Sequence, residues 1–368
     1  MRDALLWNLV TEPGDRVAGA LVAALGPEDA LDYVFGDLSA PPGGADDGGD
    51  GRPALRALQE GRSRWGARLE ATYLRQAMST AVRVGLRVLL PGDQDWPEHL
   101  ADLGDHRPLA LWVRGDVTVL SDTGVAIVGA RASSNYGEHV AGELAGSLAA
   151  DGLVVVSGGA YGIDGVAHRA ALRAGGKTVA VLAGGLDRAY PAGHAALFER
   201  IVADGALVSE VACGGAPTRW RFLERNRVIA ALARATVVVE AGWRSGSLNT
   251  AGHAATLGRP LGAVPGAVTS ATSAGCHRLL RDYDARCVTS AADVKELLGH
   301  IGVGSTIPQQ DPELERLADV LSARVPRTPE ELAQRSGLSV EHVEALLGVL
   351  ELEGGVLRTE RGWRSMPL

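Results

Sequence analysis

Cysteine, lysine, aromatic residues and long apolar runs are all scarce in this sequence. The 368 residues include three cysteines, Cys213, Cys276 and Cys287, without C-x-x-C spacing. Disulfide frameworks and zinc sites need paired, regularly spaced cysteines, so we expect neither and interpret the three as buried filler. No apolar run is long enough to span a membrane, and the first residues lack the features of a signal peptide. The sequence therefore predicts a soluble, cytoplasmic protein.

The charge of the chain is negative overall but unevenly distributed. The formal net charge is -8 at pH 7. Residues 125–300 carry 17 basic and 14 acidic side chains, whereas residues 1–124 carry 12 and 19 and residues 301–368 carry 7 and 11. Phosphate binding needs a local excess of basic groups. Only the central region has a charge that suits a nucleic-acid partner.

Segments rich in proline, glycine and polar residues divide the chain. The predicted units are a small helical domain at 1–90 with a flexible insertion at 41–53, a core at 91–299, a linker at 300–311 and a winged-helix domain at 312–368. The last unit has three helical segments, for which Thr328 or Ser339 are candidate N-caps, followed by a hairpin pattern.

Short apolar runs alternate with amphipathic segments from residue 125 onward. The runs are VAIVG (125–129), LVVVSGG (153–159), TVAVLAGG (178–185), ALVSE (206–210), TVVVEAG (236–242), LGAVPG (261–266) and RCVTS (286–290). Continuous hydrophobicity is typical of parallel strands that are buried on both faces. The predicted fold is α/β, a Rossmann-like doubly wound and mostly parallel sheet, with LALWV (109–113) as an edge strand.

Five of these strands end in turns of small residues: VGAR, SGGAYGID, AGGLDRAYP, EAGWRSGS and VPGAVTS. The carboxyl ends of parallel strands gather at one edge, where doubly wound proteins bind ligands. Glycine lets the backbone approach a ligand closely, and N–H groups at a helix start attract anions. The turn residues that we predict to face phosphate are Gly129, Arg131, Ser157, Gly158, Gly159, Arg244, Ser245, Gly246 and Ser247, with the hydroxyls of Ser133 and Ser134 as further donors. Tight helix–sheet packing is the alternative for any single turn, but it does not explain Arg131 and Arg244.

The most basic segment is TRWRFLERNRVIAALAR (218–234), with five arginines and one glutamate. Arg225 and Arg227 lie about 200° apart on a helix at roughly 100° per residue, so both face one groove only if the helix begins between them. An ion pair with Glu224 is the alternative role for one of them.

No catalytic constellation emerges from the sequence. The acidic residues near strand ends are separated from one another: Asp164, Asp187, Glu210 and Glu240. The histidines lack metal-ligand spacing. We therefore predict a binding protein and not an enzyme.

The rival interpretation is a nucleotide hydrolase resembling the "lonely guy" phosphoribohydrolases, whose P-G-G-x-G-T turn precedes a catalytic glutamate. The comparable turn here, WRSGSLNTAGHA, contains no carboxylate.

An ordered series of motifs resembles the DNA-processing protein A family, also called Smf. The series is SGGAYGID, AVLAGGLDRAYP, FLERNRVIAAL, EAGWRSGSLNTAGHA, AVPG and GCHRLLRDY, and it spans about residues 85–300. The resemblance implies a core that binds single-stranded DNA, forms a homodimer, protects incoming DNA and helps to load the RecA recombinase in natural transformation. It implies no cofactor, and it implies a small N-terminal domain of the SAM or helix-hairpin-helix-like type.

The same resemblance assigns DNA contacts to three motifs. They are G-(S/T)-R at Gly129, Ala130 and Arg131, where the hydroxyl is lost, R-N-R at Arg225, Asn226 and Arg227, and S-G-S at Ser245, Gly246 and Ser247. Relatives often carry a DNA-contacting lysine after the YP dipeptide, where this chain has none. Arg188 is our candidate to replace it.

The sequence favours single-stranded over duplex DNA as the ligand. A row of anion-binding turns follows a backbone, whereas the last predicted helix is acidic, with Glu341, Glu344, Glu351 and Glu353, and would repel phosphate. We interpret the winged-helix domain as an accessory or protein-contact module, with weak DNA binding through Arg358, Arg361, Trp363 and Arg364 of the hairpin as the alternative. The aromatic residues beside the turns are few, namely Tyr136, Tyr161, Tyr190 and Trp243, so we expect electrostatics to dominate binding.

Overall fold

The computed structural model describes residues 2–36, 52–68, 71–299, 312–352 and 354–366. The chain divides into two compact units, Met1–Gly302 and Val303–Leu368. The predicted linker at 300–311 lies outside the described residues. So does most of the predicted insertion at 41–53, of which only residues 52 and 53 are described, as the start of a helix.

Five helices precede the sheet within the described residues: α1 (Arg2–Val10), α2 (Arg16–Leu25), α3 (Pro27–Phe35), α4 (Arg52–Gly66) and α5 (Ala71–Arg83). Trp7 and Trp65 pack edge to face at their centre, with ring centroids 5.1 Å apart. Asp15 caps α2 and accepts a hydrogen bond from Trp65 Nε1. The helical character predicted for this region is confirmed, while its separation as a domain ending at residue 90 stays a prediction.

The central feature of the described chain is a sheet of nine strands. They are β1 (Arg87–Leu89), β2 (Leu111–Gly115), β3 (Gly124–Val128), β4 (Val154–Ser157), β5 (Thr178–Leu182), β6 (Ala206–Ser209), β7 (Ala235–Val238), β8 (Leu261–Ala263) and β9 (Arg286–Cys287). Their spatial order is β1-β2-β6-β5-β4-β3-β7-β8-β9. In this spatial order, the seven strands from β6 through β3 to β9 run parallel to one another. Strand β2 is antiparallel to both of its neighbours, β1 and β6. The predicted fold is confirmed, but the edge-strand prediction for LALWV is wrong because β1 covers the outer side of β2.

Helices cover both faces of the sheet, as expected for strands that are apolar throughout. They are α6 (Asn135–Ala150), α7 (Ile163–Arg173), α8 (Ala195–Asp204), α9 (Arg219–Leu232), α10 (Ser247–Thr256), α11 (Ala274–Asp282) and α12 (Ala291–Leu297). Side chains of β3 alternate between the two layers: Val125 and Ile127 pack with α6 and α7, and Ala126 and Val128 pack with α9. The chain winds outward in opposite directions from β3 and β7, so the boundary between these strands is the topological switch point.

The second unit contains α13 (Pro312–Val320), α14 (Pro329–Ser336) and α15 (Val340–Leu352), followed by the hairpin of β10 (Val356–Thr359) and β11 (Gly362–Ser365). Both predicted caps are confirmed, since Thr328 forms a capping box with Glu331 and Ser339 Oγ accepts from the His342 N–H. The winged helix is therefore present. Of the four glutamates predicted on its last helix, Glu341, Glu344 and Glu351 are exposed, and Glu353 lies outside the described residues.

The cysteines and the apolar segments can also be compared with what the sequence predicts. Cys213 and Cys276 are buried as predicted, but Cys287 is exposed, because it lies on the short strand β9 at the end of the sheet. Within the described part of the chain, no helix is both long and apolar enough to cross a membrane.

Candidate nucleic-acid interface

A cleft of about 840 Å³ opens at the topological switch point. The turns after β3 and β7 form two of its sides, and the first half of α9 forms another. Nine of the predicted residues line the cleft: Gly129, Ala130, Arg131, Arg225, Asn226, Arg244, Ser245, Gly246 and Ser247. The fold therefore brings together residues that lie more than 100 positions apart in the sequence.

The turn after β3 presents its arginine to the cleft. Gly129 is required by packing, because a Cβ there would lie 2.6 Å from Ile163 Cγ1. Arg131 is exposed, and its guanidinium carbon lies 4.9 Å from the centre of the Phe222 ring. Within the described residues it has no carboxylate partner. Such a guanidinium is free to form a bidentate contact with phosphate.

The two serines of this turn have protein partners. Ser134 caps α6, and its hydroxyl donates to the buried carboxylate of Glu240 at 2.6 Å. Ser133 Oγ donates to Glu138 Oε1 at 2.8 Å. Since these hydroxyls already have carboxylate acceptors, the predicted donation to phosphate from Ser133 and Ser134 does not match the geometry. Glu240 instead fixes the turn to the end of β7.

The turn after β4 is closed by a carboxylate of the protein itself. Asp164 Oδ2 accepts from the Gly158 N–H at 3.1 Å and from the Ala160 N–H at 3.4 Å. Burial raises the pKa of Asp164, while Arg225 and these N–H groups oppose the rise. The side-chain carboxyl of Asp164 thus occupies the position that we predicted for phosphate.

The three residues predicted in this second turn are consequently buried and do not line the cleft. Ser157 Oγ donates to the Ile127 carbonyl at 2.6 Å. The carbonyl of Gly158 accepts from Arg225, and that of Gly159 accepts from His194 Nδ1. The predicted phosphate cradle at Ser157, Gly158 and Gly159 does not match this geometry, because N–H groups of the turn already donate to Asp164.

Arg225 forms part of the floor of the cleft. Its guanidinium donates to the carbonyls of Gly158, at 2.6 Å, and Val181, and to Asn226 Oδ1. Burial lowers the pKa of Arg225 to about 10; Asp164 opposes this shift and Arg131 adds to it. The side chain remains a cation at neutral pH and braces the second turn from below.

Asn226 joins α9 to the turn after β7. Its Nδ2 donates to the Gly246 carbonyl at 3.3 Å and to Asn249 Oδ1 at 3.0 Å. Ser245 Oγ lies 2.7 Å from Ser247 Oγ at the start of α10. The S-G-S turn is thereby held open toward the cleft, with the exposed Arg244 directly before it.

Arg227 lies on the opposite side of α9 and outside the cleft. Its side chain is 1% exposed, pairs with Glu210 at 2.8 Å and donates to the His106 carbonyl. The helix begins at Arg219, before both arginines, so the 200° separation holds and only Arg225 faces the cleft. Placing Arg227 in the DNA site does not match this geometry.

Arg188 also lies elsewhere. It is exposed on a short 3-10 turn, Leu186–Arg188, after β5 and does not line the cleft. Arg219, which is exposed at the first turn of α9, does line the cleft.

Sequence reasoning missed Arg219 and Phe222 as lining residues. Thr218 caps α9, since its hydroxyl accepts from the Arg221 N–H. Counting from that cap, Arg219, Phe222 and Asn226 fall on one helical face at spacings of three and four. The cap was therefore the signal that would have identified them.

The charges of the lining residues are strongly asymmetric. Four guanidinium groups, those of Arg131, Arg219, Arg225 and Arg244, face one carboxylate, that of Asp164, which is already bonded. A concave site with one sign of charge concentrates counter-charged ligands. The cleft can therefore bind a polyanion through these guanidinium groups, with the Phe222 ring packed beside Arg131.

Comparison with known proteins agrees with these features. The family described as DNA recombination-mediator protein A matches residues 87–299, and the DprA winged helix domain matches residues 304–360. A DNA processing protein of Mycobacterium tuberculosis is 42% identical over 97% of this chain and 92% of its own length. Protein Smf of Escherichia coli is 37% identical over 75% of this chain and 76% of its own length.

Two solved structures extend the comparison. DNA processing protein A from Streptococcus pneumoniae superposes with a TM-score of 0.64 at 30% identity, covering 80% of this chain and 96% of that one. The protein from Helicobacter pylori, described for its single-stranded DNA binding mode, superposes with a TM-score of 0.53 at 29% identity, covering 58% and 95%. The chain therefore belongs to the DNA recombination-mediator protein A family.

Proposed function

We propose that this chain binds single-stranded DNA in the cleft at the switch point. The observation that carries the proposal is the set of three exposed arginines, Arg131, Arg219 and Arg244, around a concave site and without carboxylate partners in the described part of the chain. The H. pylori relative, by its description, binds the same ligand. Guanidinium groups that surround backbone turns recognise a phosphate backbone without regard to sequence.

A single strand fits this site better than a duplex. Duplex readers place a basic helix or ribbon in the major groove. Here the basic residues line a recess at the edge of a sheet, and the exposed side chains of α15 include Glu341, Glu344 and Glu351. A flexible strand can enter a recess that a rigid duplex cannot. We assign α15 and its domain a protein-contact role.

The geometry supports binding and not hydrolysis. The two buried carboxylates nearest the cleft, Asp164 and Glu240, accept hydrogen bonds from backbone N–H groups and hydroxyls of the protein. A general base or nucleophile needs a carboxylate that is directed at the substrate. Both groups instead shape the turns that surround the DNA.

The biological role that we propose follows the family resemblance. The chain acts in the cytoplasm, protects incoming single strands, forms a homodimer through its core and helps to load RecA during transformation. No cofactor enters this role.

The test is a fluorescence-anisotropy titration of the protein with a labelled poly-dT oligonucleotide at two salt concentrations, with duplex as competitor. We expect single-strand binding that weakens with salt and falls at least roughly tenfold in Arg131→Glu. Arg200→Glu is the matched control, since Arg200 is exposed on α8 and does not line the cleft. An unchanged curve for Arg131→Glu would remove the site assignment, and no binding at low salt would redirect the work to nucleotide-hydrolysis assays.

A further inference from the structure

Two tyrosine rings stand half exposed beside the cleft. Tyr161 follows β4 and is 49% exposed, and Tyr190 follows β5 and is 51% exposed. Within the described residues neither phenol hydroxyl has a hydrogen-bond partner. Rings of this size normally bury more of their surface. Their exposure at the ligand-binding edge of the sheet needs an explanation that packing does not supply.

Tyr190 continues a row of groups that starts inside the cleft. Its ring packs edge to face on Phe222, with centroids 5.9 Å apart. The other neighbour of Phe222 is the guanidinium of Arg131, at 4.9 Å from the ring centre. Arg131, Phe222 and Tyr190 therefore lead from the phosphate-binding turn to the outer surface without interruption.

Tyr161 stands on the same side of the cleft and is held rigidly. The residue before it, Ala160, lines the cleft. The Tyr161 ring packs edge to face on His194, with centroids 4.7 Å apart, and His194 Nδ1 donates to the Gly159 carbonyl at 3.0 Å. Its hydroxyl lies against Gly193, where a Cβ would come within 2.4 Å. Both tyrosines are thus supported from below while their outer faces stay open.

The charge around the two rings suits a polyanion. Arg188 is exposed two residues before Tyr190 and has no carboxylate partner within the described residues. The nearest acid in sequence, Asp187, already accepts from the Gly214 N–H at 2.9 Å. A strand that leaves the cleft over these rings meets a cation and no free carboxylate from this segment.

We propose that Tyr190 and Tyr161 form a stacking track for the bases of a single strand whose phosphates lie in the cleft. This inference rests on the proposed function. Each base has a π-face that stacks on an aromatic ring whatever its identity, so the track adds affinity without sequence preference. A strand that follows this track also passes Arg188, which lies outside the cleft.

The test distinguishes the contribution of the bases to affinity from the contribution of the phosphates. Anisotropy titrations use a dT oligonucleotide and an abasic oligonucleotide of the same length and charge, with the wild type, Tyr190→Ala and Tyr161→Ala. We expect each alanine variant to lose about five- to tenfold in affinity for the dT strand and less than twofold for the abasic strand. Tyr190→Phe and Tyr161→Phe, which keep the ring, should bind both strands as the wild type does.

Two controls make the outcome specific. Arg131→Glu should weaken binding to both strands, because it removes a phosphate contact. Tyr283→Ala removes a comparably exposed ring at the end of α11 and should change neither. Equal losses on both strands, or no loss on dT, would overturn the stacking track while leaving DNA binding intact. Failure of the wild type to bind dT at low salt would instead overturn the proposed function.

Discussion

The two sides of α9 use the same residue type for different purposes. On the cleft side, Arg219 is exposed and has no carboxylate partner among the described residues. On the other side, Arg221 pairs with Glu12 at 2.9 Å and Arg227 pairs with Glu210 at 2.8 Å. An arginine that the fold pairs with a carboxylate supports the structure, and an arginine without such a partner is available to bind a ligand. We call the side of α9 that carries Arg221 and Arg227 the strut side.

The strut side also connects α9 to the N-terminal helices. Glu12 accepts from Arg221 and pairs at 2.8 Å with Arg68, which lies two residues after α4. Burial acts to raise the pKa of Glu12, but Arg221 and Arg68 outweigh it and the pKa is lowered. Ion pairs on the strut side therefore fix α9, the helix that carries Arg219 and Arg225, to the N-terminal region.

The largest effect is expected on the strut side, where a substitution should lower stability without changing single-strand affinity. Arg227→Met should destabilise the fold by about 3–5 kcal/mol, because it leaves the buried carboxylate of Glu210 without its cation. The free energy of unfolding in urea measures this loss, and the single-strand affinity of the folded protein should stay within twofold. The double variant Arg227→Met/Glu210→Leu should recover much of the stability. A loss below 1 kcal/mol in the single variant would contradict the strut assignment.

The reverse pattern is expected on the cleft side. Arg219→Ala should weaken single-strand binding about tenfold, since it removes a charged contact to phosphate, and should change the unfolding free energy by less than about 0.5 kcal/mol. Anisotropy and urea titrations of the same preparation measure both quantities. Arg200→Ala on α8 is the matched control. Unchanged affinity in Arg219→Ala would show that the strand does not reach the first turn of α9.

The smallest effect concerns the ion pairs that join α9 to the N-terminal helices. Glu12→Gln should cost about 1 kcal/mol or less at pH 7, because the pairs are partly solvated. Since the folded-state pKa is lowered, the stabilisation from Glu12 is present above its ordinary value of 4.5 and is lost as pH falls through the folded value. Urea midpoints should therefore differ between wild type and variant at pH 7, and the difference should shrink below pH 4.5. A difference that does not depend on pH would exclude this ionic contribution.

The sheet was predictable from the sequence because its signal is local. All seven predicted runs form strands of the sheet, and five of them end in turns of small residues. The position of β2 was not predictable. Its outer neighbour, β1, is three residues long and lacks a strong apolar pattern of its own.

The candidate site was predictable where a residue acts alone and not where it acts through a distant partner. Arg131 and Arg244 could be identified because exposed turns place them. Arg227 could not be excluded from sequence, because its partner Glu210 is 17 residues away and at the end of another strand. The closed turn at Gly158 was missed for a different reason: Asp164 is only six residues away, but the contact of its carboxyl with the turn depends on the path of the backbone.

The pairing of β3 with β7 also determines when the cleft can form during synthesis. Val125 lies opposite Ala235, so the two central strands are about 110 residues apart in the chain. At a translation rate of roughly 5–20 residues per second, β3 waits several seconds or more for this neighbour. Its other neighbour, β4, emerges only about 30 residues later. A nascent chain therefore assembles the β3–β4 side first, and the DNA-binding recess is completed only when the turn that carries Arg244 has left the ribosome.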